Sequence, residues 1–160
     1  MPSVAPRVML TTTMARQVAV IGSGTEWEDA AEEVGRLLAQ RGCTVVTGGL
    51  GEVMAAAHRG AREAGGATLA ILPGEDRSAA NAWAEHVVVT GIGHARNLAV
   101  AASGDAVVAV GGSYGTIAEM ALALRLGRPL VALEGAPAVE GALLAASPAE
   151  AVELALRDLG

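Results

Sequence analysis

Short β-branched apolar runs recur along this chain, separated by longer stretches in which apolar and polar positions alternate at helical spacing. The runs QVAVI (17–21), CTVVT (43–47), ATLAIL (67–72), HVVV (86–89), DAVVAV (105–110) and LVAL (130–133) predict strands. Most are continuously apolar, the pattern of strands covered on both faces of a parallel sheet. Helices are expected at about 26–41, 52–64, 94–103, 116–126 and 148–158, and the alanine-rich segment 141–157 reads as helical. Within 52–64, Val53, Ala56, Ala57, Gly60, Ala61 and Ala64 share one side, small enough to pack closely on a sheet. The polar stretch 73–85 reads as a surface loop.

Strand–helix alternation of this length implies right-handed βαβ units. The expected fold is α/β: one Rossmann-like, doubly wound, mainly parallel sheet of six or seven strands with helices on both faces, spanning residues 17–160. Residues 1–16 carry no apolar run followed by a small-residue cleavage site and read as a flexible N-terminal arm. Met14 is a candidate natural start.

Composition narrows the chemistry. No stretch reaches the roughly 18–20 uninterrupted apolar residues of a membrane span, so a protein of the cytoplasm, away from membranes, is expected. Cys43 is the only cysteine, which excludes an intrachain disulfide and suits a reducing compartment. With His58, His86 and His94 dispersed, no metal-ligand spacing emerges. All 11 basic residues are arginine. That excludes an internal-lysine Schiff base and the lysine of a P-loop. A net charge of −6 and only Trp27, Trp83 and Tyr114 as aromatics argue against a nucleic-acid surface.

In a doubly wound sheet, ligands sit beyond the carboxyl ends of the strands. Three glycine clusters fall there: Gly22-Ser23-Gly24, Gly48-Gly49-Leu50-Gly51, and Gly111-Gly112-Ser113-Tyr114-Gly115 leading into Thr116. Glycine turns expose backbone N–H groups and a following helix adds its positive end, a cradle for an anion that needs no lysine. The dinucleotide fingerprint GxGxxG is not met, because its third position is Trp27 after the first cluster and Met54 after the second.

Individual side chains leave two readings open. Thr116-x-x-Glu119 matches a capping box, as do Thr25-x-x-Glu28 and Ser147-x-x-Glu150. Arg96 falls in the first turn of a helix, where a cation opposes the dipole at a cost of roughly 0.3–1 kcal/mol. Either it extends into solvent or an anion approaches it. His94 lines the same cleft or is structural. Tyr114 packs over a ligand ring or covers the helix start, and Cys43 fills the core.

GGSYGTIAE (111–119), with HARN (94–97) upstream and TGGLGEVM (47–54), resembles the Lonely Guy family and its wider Rossmann-like superfamily. That superfamily was long mislabelled as lysine decarboxylases, an activity not expected here. Its hallmarks are PGGxGTxxE and an upstream arginine–lysine pair. The resemblance implies a nucleoside 5′-monophosphate site in which Gly111, Gly112, Ser113, Gly115 and Thr116 hold phosphate. Arg96 and Glu119 would then assist cleavage of the N-glycosidic bond. Beside that loop, Gly22, Ser23, Gly24, Gly48, Gly49 and Tyr114 are the further ligand-binding candidates, with no metal ligand among them.

The chain departs from the family pattern at three points. Val110 replaces the proline, one residue too many precedes Gly115, and the arginine–lysine pair reads Arg96-Asn97. A shifted loop displaces the scissile bond, and ~1 Å costs about a hundredfold in rate. GGSYGT and HARN look closer to the branch of the superfamily containing molybdenum cofactor carrier proteins, which implies the alternative of a non-catalytic carrier of a pterin phosphate. No tightly required cofactor is expected, only a bound nucleotide, phosphate or molybdenum cofactor. Segment 116–126 is apolar around its circumference, which predicts a homodimer or homotetramer.

Overall fold

Seven strands pair in the order β4-β3-β2-β1-β5-β6-β7, and every neighbouring pair is parallel. The structure, a computed structural model, describes residues 13–159. Its strands are β1 (Gln17–Ser23), β2 (Thr44–Thr47), β3 (Thr68–Leu72), β4 (His86–Val89), β5 (Ala106–Gly111), β6 (Leu130–Leu133) and β7 (Leu143–Ala145). Between and after them run α1 (Glu28–Gln40), α2 (Glu52–Glu63), α3 (Arg96–Ser103), α4 (Tyr114–Arg125) and α5 (Pro148–Leu156). The doubly wound α/β fold is therefore as expected, with a sheet that is wholly parallel among the described residues. Of the expected arm, residues 1–12 lie outside the described residues, and 13–16 carry no regular secondary structure.

The continuous apolar runs are explained by two cores. Along β1, Val18 and Val20 face α1, α2 and α5, while Ala19 and Ile21 face α3 and α4. Along β5, Ala106, Val108 and Val110 join the first core, and Val107 and Ala109 the second. Period-2 alternation thus places every residue of a central strand against a helix. Full burial of each valine contributes roughly 1.5–3 kcal/mol. Gly60 faces α1 rather than the sheet, because a Cβ there would collide with the Glu32 carbonyl. No helix among the described residues is long and apolar enough to cross a membrane.

Three expectations are corrected. Segment 141–157 is not helical throughout, since Leu143–Ala145 pairs with Val131–Leu133 as an edge strand before Ser147 caps α5. The cross-strand partner, absent from local pattern, overrides the helix propensity of alanine and leucine. Helix α4 starts at Tyr114, not Thr116: Ser113 is its N-cap, and the Ser113 N–H donates to Thr116 Oγ1 at 3.2 Å. The capping partner is thus Thr116, and Glu119 lies a turn further in, free of any capping role. The Thr25–Glu28 box is not made either, because a 3-10 turn over Thr25–Trp27 precedes α1.

Candidate functional site

Strand order reverses between β1 and β5, whose carboxyl ends open a crevice at the switch point. Gly22 pairs with Val110 and Ser23 with Gly111, so the first and third glycine clusters lie side by side. Gly22 has φ 134°, and a Cβ there would collide with the Val110 carbonyl. Only glycine lets these two strands stay paired to their last residues. Ser113, Tyr114 and Gly115 are exposed at the edge, while Thr116 is buried beneath them. The N–H groups of Tyr114 and Gly115, in the first turn of α4, have no intrahelical partner.

The second cluster follows β2. The Gly49 N–H donates to Thr47 Oγ1 at 2.9 Å. Gly48 keeps an ordinary φ, and its missing side chain serves contact: a Cβ there would lie against the Arg96 guanidinium, with Cζ at 2.9 Å. Arg96, the first residue of α3, is therefore not extended into solvent. It is 7% exposed, and its Nε has no hydrogen-bond partner. Burial pulls its pKa down, against an upward pull from the Glu119 carboxylate.

Glu119, on α4, is 6% exposed and feels the same pair of effects with signs exchanged. Burial raises its carboxyl pKa to about 7, opposed by the positive charge of Arg96. The fold thus brings the two candidate catalytic residues into electrostatic contact from different helices, though no ion pair joins them among the described residues. A carboxyl whose pKa is about 7 can hold or give up a proton near neutrality, and the Arg96 Nε–H is a donor without a protein acceptor among the described residues. His94 and Tyr114 are exposed, the latter to 89%, so Tyr114 does not cover the helix start. Cys43 is buried, as expected of core filler.

Sequence reasoning missed the support behind the Gly48–Gly49 turn. Asn81, inside the expected surface loop, donates its N–H to the Gly49 carbonyl at 2.9 Å, and its Nδ2 lies 3.2 Å from His58 Nδ1. Because the Asn81 amide donates, His58 Nδ1 accepts and Nε2 carries the hydrogen. That Nε2 is buried without a hydrogen-bond partner. Burial lowers the His58 pKa to about 4 and keeps the ring neutral. A lone histidine and a lone asparagine carry no local pattern from which this contact could be read.

The fold and this edge define a Rossmann-like α/β protein whose glycine turns converge on a switch point beside one buried arginine. The chain belongs to the SLOG cluster4 family, whose model matches residues 15–156. It is 41% identical over 139 residues to an uncharacterized protein of Archaeoglobus fulgidus, covering 85% of this chain and 91% of that one. The molybdenum cofactor binding protein of Rippkaea orientalis superposes with a TM-score of 0.83 at 30% identity, over 89% of this chain and 96% of the other. The molybdenum cofactor carrier protein of Chlamydomonas reinhardtii gives 0.81 at 32% identity, over 90% and 98%. The superfamily expected from GGSYGT and HARN, and the branch within it, are borne out.

Proposed function

We propose that this protein binds a phosphate-bearing pterin of the molybdenum cofactor type at the β1–β5 switch point and carries it without turnover. The observation that carries the reading is Arg96: a guanidinium that is nearly inaccessible, lacks a partner for Nε and lies against Gly48. A buried cation of this kind is costly unless an anion completes it. The turns of Gly22, Ser23, Gly24, Gly48, Gly49, Gly111, Gly112 and Thr116 surround the ligand, with the N–H groups of Tyr114 and Gly115 and the Ser113 hydroxyl as donors, because the N–H groups of Gly49 and Ser113 already donate to Thr47 Oγ1 and Thr116 Oγ1. The similarity to proteins described as binding and carrying molybdenum cofactor supports the pterin over a nucleotide. Buried Cys43 suits a reducing cytoplasm.

Native mass spectrometry of protein purified from molybdenum-replete cells is expected to show a pterin adduct that dissociates on denaturation. Protein that emerges ligand-free and shows no thermal shift with any phosphate compound would overturn the reading. One observation favours a second reading. Glu119, with its carboxyl near pH 7 beside Arg96, suits proton transfer during N-glycosidic cleavage of a nucleoside 5′-monophosphate. Release of free base, lost in Glu119→Gln, would establish that phosphoribohydrolase; no release across the common monophosphates leaves the carrier.

We further propose that a second copy of the chain packs on α3 and α4. Leu98 is 48% exposed and Ile117 39%, and no charged side chain is exposed on either helix before Arg125. By contrast, α1 and α2 present ion pairs such as Arg59–Glu32 and Arg36–Glu33 to solvent. An uncharged two-helix face is matched by its own copy across a two-fold axis. Ile117→Glu is expected to convert a dimer or tetramer to a smaller species in analytical ultracentrifugation at micromolar concentration. A wild-type monomer would refute this.

A further inference from the structure

The residue that breaks the dinucleotide fingerprint lies against glycines at the ends of β1, β5 and β6. In GxGxxG proteins the third glycine allows close helix–strand packing, and the ligand spans both halves of the sheet across the switch point. Here that position is Trp27, at the N-cap of α1. Three glycines from different segments receive its indole. A Cβ on Gly24 would lie 2.9 Å from Cδ1, and one on Gly111 would collide with the five-membered ring. One on Gly135, just beyond β6, would collide with the six-membered ring. The indole therefore reaches from the β1 turn across the end of β5 to the end of β6, anchored on the apolar core beneath.

Charged side chains also differ between the two halves, although the Glu26 carboxylate stands beside Gly24 at the β1 turn and Glu119 beside Arg96. On the β2 side of the switch point stands Arg96. On the β6–β7 side is a recess of about 280 Å³, lined by Leu133, Glu134, Gly135, Pro137 and Leu144 among others, whose one ionisable side chain is Glu134. A carboxylate there repels a second phosphate. Building on the phosphate-ligand reading above, we infer that Trp27 is a specificity-determining residue that confines the site to one phosphate-bearing ring system and excludes pyrophosphate-linked dinucleotides.

AMP and NAD form the matched probes, because NAD is AMP extended by a second nucleotide. Wild-type protein is expected to bind AMP at least ~100-fold more tightly than NAD by calorimetry. Trp27→Ala should narrow that ratio to less than ~10-fold through a gain in NAD affinity. Trp27→Leu, which keeps apolar bulk on the core, should narrow it in the same direction and serves if the alanine variant does not fold. A residue that only packs would weaken both ligands in parallel and leave the ratio unmoved. Equal wild-type affinity for AMP and NAD, or a ratio unchanged in the folded variants, overturns the inference. Failure of both AMP and inorganic phosphate to bind wild-type protein overturns the underlying phosphate-site reading, and this inference falls with it.

Discussion

Arg96→Met should lose about a hundredfold in affinity for a phosphate-bearing ligand while the free protein becomes no less stable, and by the following argument somewhat more so. In the ligand-free molecule the guanidinium is 7% exposed, with an Nε that donates to nothing. Its nearest opposite charge, Glu119, is itself held protonated up to about pH 7 by burial. Removing such a charge relieves desolvation, and methionine retains the unbranched character of the arginine stem while deleting the guanidinium that lies against Gly48. With ligand bound, each charge-assisted hydrogen bond is worth roughly 1.5–3 kcal/mol, so one or two such bonds account for the loss. Gly48→Ala, which displaces the guanidinium without deleting it, should weaken binding by an intermediate factor. Thermal unfolding and calorimetry on the same samples test this. Marked destabilisation with unchanged affinity would make Arg96 a structural residue and remove the basis for the phosphate site.

Strands β1, β2, β3, β5 and β6 were legible because burial on both faces leaves a continuous apolar run that no amphipathic helix imitates, whereas β4, exposed at the sheet edge, was legible only from its run of β-branched valines. Strand β7 was not, because Leu143–Ala145 is short, lies at the sheet edge and is composed of helix-favouring residues. The start of α4 was ambiguous for a different reason. Ser113-x-x-Thr116 and Thr116-x-x-Glu119 both match a cap, and only the backbone of the preceding glycine turn selects the first. Local pattern is degenerate where two caps overlap.

The candidate site divides along the same line. That glycine turns gather at one edge follows from strand polarity, which alternating elements already imply. The proximity of Arg96 and Glu119 does not follow, since they come from helices separated in sequence by a whole buried strand. It entered through family resemblance and is supplied physically by the packing of α3 on α4. Trp27 and the His58–Asn81 contact were illegible because their meaning resides in residues remote in sequence: the absent side chains of Gly111 and Gly135, or the Asn81 amide that donates to His58 Nδ1.

Glu119 and His58, both buried and both titrating between about pH 4 and 7, should cancel one another's effect on stability, and single substitutions should expose opposite pH slopes. Glu119 has a folded pKa of about 7 against an ordinary 4.5. Between those values the native state holds a proton that the unfolded chain has released, so this residue's contribution is full below 4.5 and is lost as pH rises through 7. His58 has a folded pKa of about 4 against 6.5. Between those values only the unfolded chain binds the proton, so its contribution is present above 6.5 and is lost as pH falls through 4. The windows overlap from about 4.5 to 6.5, where each slope is at most about 1.4 kcal/mol per pH unit and the signs oppose. Wild-type stability should therefore vary little there from these two groups. Glu119→Gln should lose stability on acidification, and His58→Gln should gain it, relative to wild type. Chemical denaturation at about pH 5 and about pH 6.3 compares the three proteins, and every other titratable group is common to them. Parallel pH profiles in all three would mean that neither side chain is buried as the fold places it. The same protonation tunes the site: with Glu119 neutral at lower pH, Arg96 faces a ligand alone. Sulfate, whose charge is constant over this range, should therefore bind more tightly below pH 7 than above it, and Glu119→Gln should abolish the difference.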